Sequence, residues 1–521
     1  MEDSLVKAVK NTGLILAGTI ISIGISILRK ILILNYLTVE QNGFYTITLG
    51  FLDILPSLCL FGTGTAIVRQ ISYNQGKNKY ETTNRVITTG IIFALLSSII
   101  ITIIFIFVAD YFLLLLHGNL NYIIEFRLFI ASIPLTTLLG TFISINRGFN
   151  KTNVKIIFED LLKNVVFTSL ILLLIFILPK ANSESLFLFS IIAFVSTLLP
   201  PVLAIFYSKK IFNSFKGIKS KHSFNIKILK ELLKLALPYF FAEFFLRFLN
   251  YTDVFFLGYY LDPNLVGLYG AAKTISRYIP LISLAFVFIF VPFFSKLLGT
   301  NAYNQLNRKY KLVAKWIYLV SFPFFLIIFS FPNETILFLA KADYLPSARF
   351  LQILCISSLV LSLSSINTIG VVSTGKTKLF IIPYTISIIV SVFLNIIMIP
   401  HLGLYGAAFA FLISILTRDS ILFLRFYKNT NLHPFSKNLI KIIAISIFGT
   451  IYLFFTNTIL IDAFILRLAN GFIAAILILT GFIFFRCFEI IDLEFINLFE
   501  IKFGINLSKI KKLLQKFIKE D

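Results

Sequence analysis

Residues 36–45, YLTVEQNGFY, align without a gap onto residues 260–269, YLDPNLVGLY, at an offset of 224. Four of the ten positions are identical: Tyr36, Leu37, Gly43 and Tyr45 match Tyr260, Leu261, Gly267 and Tyr269. Each stretch is a short connection between two long apolar segments. Six such segments separate the two copies, so both segment pairs run in the same direction. That is the pattern of a parallel six-plus-six repeat, whose halves are related by an axis along a membrane normal. GLYGAA also occurs twice, at 267–272 and 403–408, where small residues allow close helix approach.

Composition makes the membrane the solvent. The chain has 521 residues, 58% of them hydrophobic and only 14% charged. A soluble fold of that composition lacks the polar surface to cover its core. Apolar runs of about 20 residues, enough to cross roughly 30 Å of hydrocarbon, recur along the chain. Their positions are 12–36, 43–67, 86–109, 122–146, 157–178, 185–207, 232–258, 268–292, 312–331, 347–371, 379–399, 402–424, 439–460 and 466–487. The expected fold is an all-α integral membrane protein of about fourteen spans. Residues 1–210 form an N-lobe, 211–430 a C-lobe, 431–489 two extra spans and 490–521 a cytoplasmic tail. The opening MEDSLVKAVK leads into a full span without a cleavage site, so no removable signal peptide is expected.

The net charge of +23 follows from topology rather than nucleic-acid binding. With the N-terminus in the cytoplasm, the outer connections hold only Lys180, Lys341, Arg349 and Arg467. Most remaining Lys and Arg fall on the inner side, which places both termini in the cytoplasm of a cell-membrane protein. In the tail, Ile510, Leu513, Leu514, Phe517 and Ile518 share one helical face, with lysines on the other. A basic amphipathic helix on anionic lipid is expected there. Cys59, Cys355 and Cys487 lie in apolar runs as inert thiols, and the dispersed histidines have no metal-ligand spacing. No cofactor is implied.

Ionisable groups inside spans are costly, so they are the candidate functional residues. The first span carries Ser22, Ser26 and Arg29 on one face, and the second Asp53. The seventh carries Glu243, Arg247, Asn250 and Asp253; the eighth, Lys273 and Arg277. At the repeat offset Arg29 maps onto Asp253, and Asp53 onto Arg277, with the signs exchanged. Similar depth suggests Arg29–Asp53 and Asp253–Arg277 ion pairs, within or across the halves. Glu243 stands at the right spacing to neutralise Arg247. Arg29, Arg247, Lys273 and Arg277 are candidates to line a cavity for an anionic cargo; Asp53, Glu243 and Asp253 are candidates for pairing or for proton or sodium coupling. Arg127 and Arg418 have Glu125 and Asp419 as near neighbours, and Asn367 and Asn395 suit interhelical hydrogen bonds.

NYLTVEQNGFY at 35–45, LFGTGTAIVRQIS at 60–72, DVFFLGYYLDPNLVGLYGAAK at 253–273 and LNIIMIPHLGLYGAAFAFLIS at 394–414 together resemble the Wzx-type polysaccharide-transporter branch of the multidrug/oligosaccharidyl-lipid/polysaccharide exporter superfamily. The resemblance runs through about residues 1–430. It implies two six-helix lobes in a V around a central cavity, working by alternating access. It also implies a polyprenyl-pyrophosphate-linked oligosaccharide as cargo, moved from the inner to the outer leaflet. The cavity of such proteins is cationic, in keeping with Arg29, Arg247, Lys273 and Arg277.

Three other readings compete, of which a cell-wall lipid precursor flippase is chemically the nearest and differs mainly in the glycan. A multidrug exporter of the same superfamily calls for an acidic or aromatic cavity, whereas the candidate charges here are mainly basic. A membrane polymerase or ligase of lipid-linked glycans tends to carry a long outer loop of catalytic polar residues. The longest outer connection here, about 332–346, holds only Glu334, Lys341 and Asp343 as charged residues. No Walker motif is present, and enzyme activity is not expected.

Overall fold

The computed structural model describes residues 2–77, 79–116, 120–151, 153–179, 183–214, 224–300, 302–459 and 464–493, with isolated tail positions; side chains are described from Gly18 onward. The expected tail helix over 510–519 falls almost wholly outside the described residues.

The first lobe contains α1 (Glu2–Tyr36), α2 (Val39–Leu60), α3 (Thr63–Gly76), α4 (Tyr80–Phe107), α5 (Ala109–Leu115), α6 (Ile123–Ala131), α7 (Ile133–Gly148), α8 (Lys163–Ile177) and α9 (Ser183–Ser214). The second contains α10 (Ile226–Leu249), α11 (Thr252–Tyr260), α12 (Pro263–Ser276), α13 (Tyr278–Gly299), α14 (Tyr303–Ser330), α15 (Pro332–Leu339), α16 (Ala348–Ser373), α17 (Ile381–Leu402) and α18 (Leu404–Thr430). Then come α19 (Lys437–Ile459) and α20 (Phe464–Phe484). The described residues contain no strand.

Helix ends repeat at the sequence offset. α1 and α11 stop at Tyr36 and Tyr260, α2 and α12 start at Val39 and Pro263, and α5 and α15 stop at Leu115 and Leu339. The local devices differ. Thr38 starts α2 with a capping box, exchanging 3.2 Å hydrogen bonds with Gln41. α12 begins instead with Asp262 at the cap and Pro263 in its first position. Pro56 and Pro280 also match at the offset, each three residues beyond a charge, Asp53 or Arg277. A proline removes one backbone hydrogen bond and bends or breaks the helix. In the second lobe the break falls at Arg277, between α12 and α13. In the first, α2 continues past Pro56 to Leu60 and is ended by Phe61 and Gly62, both at positive φ.

Twelve helical segments among the described residues are long and apolar enough to cross a membrane. The seventh span, α10 with α11, is more charged, because its first turns carry Lys227, Lys230, Glu231 and Lys234. The last, α20, has a shorter apolar stretch at Ala469–Phe484. The result is two six-span lobes followed by two further helices. Large side chains such as Phe107, Phe176 and Phe448 are exposed on the surface, as lipid-facing residues are. Cys59, Cys355 and Cys487 are buried and unpaired by disulfides.

Candidate substrate cleft between the lobes

The lobes meet through α2 and α12, which are repeat equivalents. Gly43 and its mate Gly267 pass so closely that a Cβ on either would overlap a backbone carbonyl, that of Pro263 or of Val39. Asn42 Nδ2 donates to the Gly267 carbonyl across this junction at 3.0 Å. One turn further, Gly270 lies against its own mate Thr46. Small residues let the backbones touch, and the end bearing the Leu37–Thr38 and Leu261–Asp262 connections is shut.

Deeper in, the two sides of the cleft differ. α10 leans onto α3 of the other lobe: the Phe61 and Phe240 rings stack at 4.2 Å, and Gly62 lies beneath the backbone of Ala236 and Phe240. α1 packs mainly on its own lobe, against α8 and the π-helical segment Lys155–Leu162.

Asp53 on α2 and Arg247 on α10 form an ion pair from lobe to lobe. Although both stand mid-span at a helix interface, their side chains keep 34% and 41% of their exposure. The space between the lobes is therefore open to water.

α10 breaks at Asn250–Tyr251, where the equivalent stretch of α1 is continuous. The freed Asn250 carbonyl accepts hydrogen bonds from Lys273 Nζ at 2.7 Å and Arg277 Nη2 at 3.2 Å. Lys273 also lies 2.5 and 2.6 Å from the two carboxylate oxygens of Asp253. Tyr269 donates to the same carboxylate at 2.6 Å. This pair is sealed, Lys273 being 6% and Asp253 1% exposed. A desolvated pair of this kind is held by its hydrogen bonds as much as by Coulomb attraction.

Arg29 reaches the cleft from α1. Its Nη1 donates to Asn164 Oδ1 at 2.6 Å, and its guanidinium stands over the Phe167 ring at 5.3 Å. Asn164 is braced in turn, donating to the Asp160 carbonyl at 2.6 Å, which also accepts Ser22 Oγ at 2.6 Å. Asp160 belongs to the π-helical segment, a distortion frequent at functional sites. Two further cations join this group. Lys30 stands over the Tyr45 ring at 5.5 Å and feels the charges of Arg29 and Arg277. Lys163 feels those of Glu159, Arg29 and Asp53. Arg277 itself lies over the Tyr251 ring at 5.5 Å. Arg29, Lys30, Lys163, Arg247 and Arg277 thus surround the cleft, with Asp53, Glu159 and Glu243 as the carboxylates that act on Arg247 or Lys163.

Several expectations are corrected here. Arg29 meets Asn164 rather than Asp53, and Arg277 meets the Asn250 carbonyl rather than Asp253. Asp53 and Asp253 pair with Arg247 and Lys273 instead. Equal depth fixed neither the direction in which each helix face points nor the lean of α10 toward α2 and α3. Lys273 is spent on Asp253 and the helix break, so it offers no free charge to the cleft. Glu243 is exposed and lies by Thr65, and it feels Arg247 as expected, with Arg147 also near, although Arg247 makes its ion pair with Asp53. Arg127 pairs with Asp110 at 3.2 Å, while Arg418 and Asp419 pair at 2.8 Å. Asn367 joins α16 to Tyr310 of α14 at 3.3 Å, but Asn395 donates within its own helix, to Ser391. Lys30 and Lys163 were missed. Their charge inside an apolar run was the available signal, and the repeat offset gives neither a charged mate.

Residues 8–298 match the family model described as polysaccharide biosynthesis protein, and residues 238–397 match the model described as MatE. An uncharacterized membrane protein of Methanocaldococcus jannaschii is 24% identical, the match covering 95% of this chain and 97% of that protein. Among solved structures, the lipid II flippase MurJ in an inward closed conformation is similar with a TM-score of 0.67 at 17% identity, covering 91% of this chain and 99% of that one. An inward-facing multidrug resistance MATE family transporter of the MOP superfamily gives 0.65 at 15% identity, covering 78% and 94%. A MOP superfamily transporter from Pyrococcus furiosus, described by the reverse polarity of its binding pocket, gives 0.56 at 14% identity, covering 82% and 96%.

Proposed function

Because the chain belongs to the polysaccharide biosynthesis protein family, within the MOP superfamily of transporters, we propose that its cleft carries a polyprenyl-pyrophosphate-linked oligosaccharide from the cytoplasmic to the outer leaflet. One observation carries this reading: among the described residues, five basic side chains surround the cleft against three nearby carboxylates, Asp53, Glu159 and Glu243. A pyrophosphate leaving water for the membrane interior loses its hydration, and fixed cations offset that loss. Arg29, Arg277 and Lys30 supply donors beside aromatic rings; Arg247 supplies one more when it leaves Asp53. The same charges disfavour a cationic drug.

The charge census supports an outer position for the shut α2–α12 end, and on this reading the cleft faces inward and both termini are cytoplasmic. Alternating access then requires the Gly43–Gly267 junction to part. An inside-negative potential favours outward movement of an anion by about 2.3 kcal/mol per charge per 100 mV. Exposed Asp53 and Glu243 are the acidic groups available for a coupling proton or sodium ion. Chain boundaries near 210 and 430 divide the moving lobes from the α19–α20 appendix, and the lysine-rich tail suits anionic lipid. This reading makes the chain a carrier and gives it no catalytic residue.

The test is binding in nanodiscs of a fluorescent polyprenyl-pyrophosphate oligosaccharide against the same glycolipid without its pyrophosphate. The pyrophosphate form should bind tighter, weaken with salt, and weaken in Arg277→Gln. Equal binding of the two forms would overturn the proposal.

A further inference from the structure

Two neighbouring cavities lie between the second lobe and the appendix, away from the cleft. The upper one, of about 1040 Å³, is bounded by α14, α15 and α16 on one side and by α19 and α20 on the other. It opens at the end of the molecule where the lobes are shut. There Lys341 donates to the Tyr36 carbonyl at 3.0 Å, and Asn35 to that of Leu339 at 3.0 Å. The lower one, of about 310 Å³, lies between α14, α19 and α20. Phe454 lines the upper cavity and Leu453 the lower; Arg467 lines the upper and Gly471, one turn on, the lower. From Arg467 to Ala475 the helical rise along α20 is about 12 Å. The two cavities thus form one groove, running from the shut end toward the middle of the membrane.

The groove changes character along its length. Its lower part is lined by apolar side chains and Gly471 alone. Ile327 and Phe472 on its rim are more than half exposed, so it opens sideways to lipid. Its upper part carries charge. Arg467 of α20 and Glu334 of α15 pair at 2.6 Å, which ties the appendix to the lobe and cancels both charges. Arg349, near the start of α16, lines the same wall, is exposed, and forms no salt bridge among the described residues. The mouth of the groove therefore keeps one uncompensated cation.

This combination selects an amphiphile. A polar ligand would lose its hydration in the lower part and find no hydrogen bonds there. A hydrocarbon chain fills it, and an empty space would forfeit the dispersion contacts of its lining. At the mouth, a single phosphodiester matches the single free guanidinium. A zwitterionic headgroup would bring a second cation beside Arg349, which Coulomb repulsion disfavours. A pyrophosphate, with its higher charge, is better matched by the cations of the cleft. α16 packs on α12 and α13, so the second lobe stands between this groove and the cleft.

We infer that the groove holds one anionic phospholipid from the leaflet at the shut end, with its phosphate on Arg349 and one acyl chain between α14 and α20. The bound lipid completes the packing of the appendix on the second lobe. The site stands whether or not the cleft carries a glycolipid.

The experiment places the full chain in phosphatidylcholine liposomes with a trace of phosphatidylglycerol bearing a diazirine in mid-chain, or of diacylglycerol with the same chains. Residues labelled on illumination are mapped by mass spectrometry. The phosphatidylglycerol probe should label Ile327, Leu453 or Phe472 above the level of the general lipid-facing surface at Phe176 and Phe448. That excess should be lost with the diacylglycerol probe, in Arg349→Gln, and in Ala475→Phe, which fills the lower part. Equal labelling of the groove and the general surface, or an excess that Arg349→Gln leaves intact, overturns the inference. Displacement of the probe by a polyprenyl-pyrophosphate glycolipid overturns it as well, and makes the groove a path for the cargo.

Discussion

Asp53 and Arg247 form an ion pair from lobe to lobe at mid-span, and both side chains keep about a third or more of their exposure. Because α2 and α10 belong to different lobes, the pair exists only while these helices are close, and it competes with any anion for Arg247. Charge reversal at either position should slow glycolipid exchange about tenfold or more, equivalent to about 1.4 kcal/mol. The double reversal Asp53→Arg with Arg247→Asp should recover much of that loss. Exchange rates in proteoliposomes give the answer, and a double reversal as slow as the singles removes pairing as their role.

The junction on the pseudo-axis makes a geometric prediction. A Cβ on Gly270 would lie 3.0 Å from that of Thr46, a small shift from the disulfide span of about 3.5–4.5 Å. Thr46→Cys with Gly270→Cys should therefore crosslink readily under mild oxidation, since the native cysteines are buried. The crosslinked protein should bind cargo but not exchange it, and reduction should restore exchange. Gel mobility and the exchange assay report both.

Lys273 and Asp253 call for a different outcome. Removing one member of a buried pair leaves an unpaired charge and costs about 3–5 kcal/mol. Lys273→Met should thus lower the melting temperature in detergent sharply, while Lys273→Met with Asp253→Asn should recover part of the loss. A single variant as stable as the native chain would show that the helix break at Asn250 holds without them.

The appendix is anchored by Asp492, which is buried. It lies 2.5 Å from Lys315 Nζ and 2.8 Å from Trp316 Nε1 of α14, and also accepts the Glu489 backbone N–H at 2.8 Å. Lys315 reaches the Cys487 carbonyl at 3.3 Å as well. Asp492→Ala should release the segment after α20, seen as faster maleimide labelling of Cys487. Unchanged labelling would place the anchor elsewhere.

Much of the fold was legible because the membrane imposes one rule on every segment, and because the repeat carries helix ends with it. Tyr36 and Tyr260, or Pro56 and Pro280, needed only an offset. The residues of the cleft were partly legible, since charge inside an apolar run is conspicuous. Their partners were not. Depth along a span does not say which neighbour a side chain faces, and α10 leans onto the other lobe where α1 does not. The π-helical segment before Lys163 and Asn164 adds a residue to the turn, rotating them by about 100° from where regular helical spacing puts them. Nor does the sequence announce the break at Asn250, which turns Lys273 and Arg277 toward a backbone carbonyl.

The central claim is that the cationic cleft moves a lipid-linked anion outward. Its most direct measurement is leaflet exchange of a fluorescent polyprenyl-pyrophosphate oligosaccharide in proteoliposomes, with and without an imposed potential. The account predicts protein-dependent exchange, biased toward the positive side of the membrane and slowed at least tenfold when Arg29, Arg247 and Arg277 are replaced together by Gln. Exchange that ignores these replacements, or its absence across several glycans while a cationic dye is exported, would contradict it.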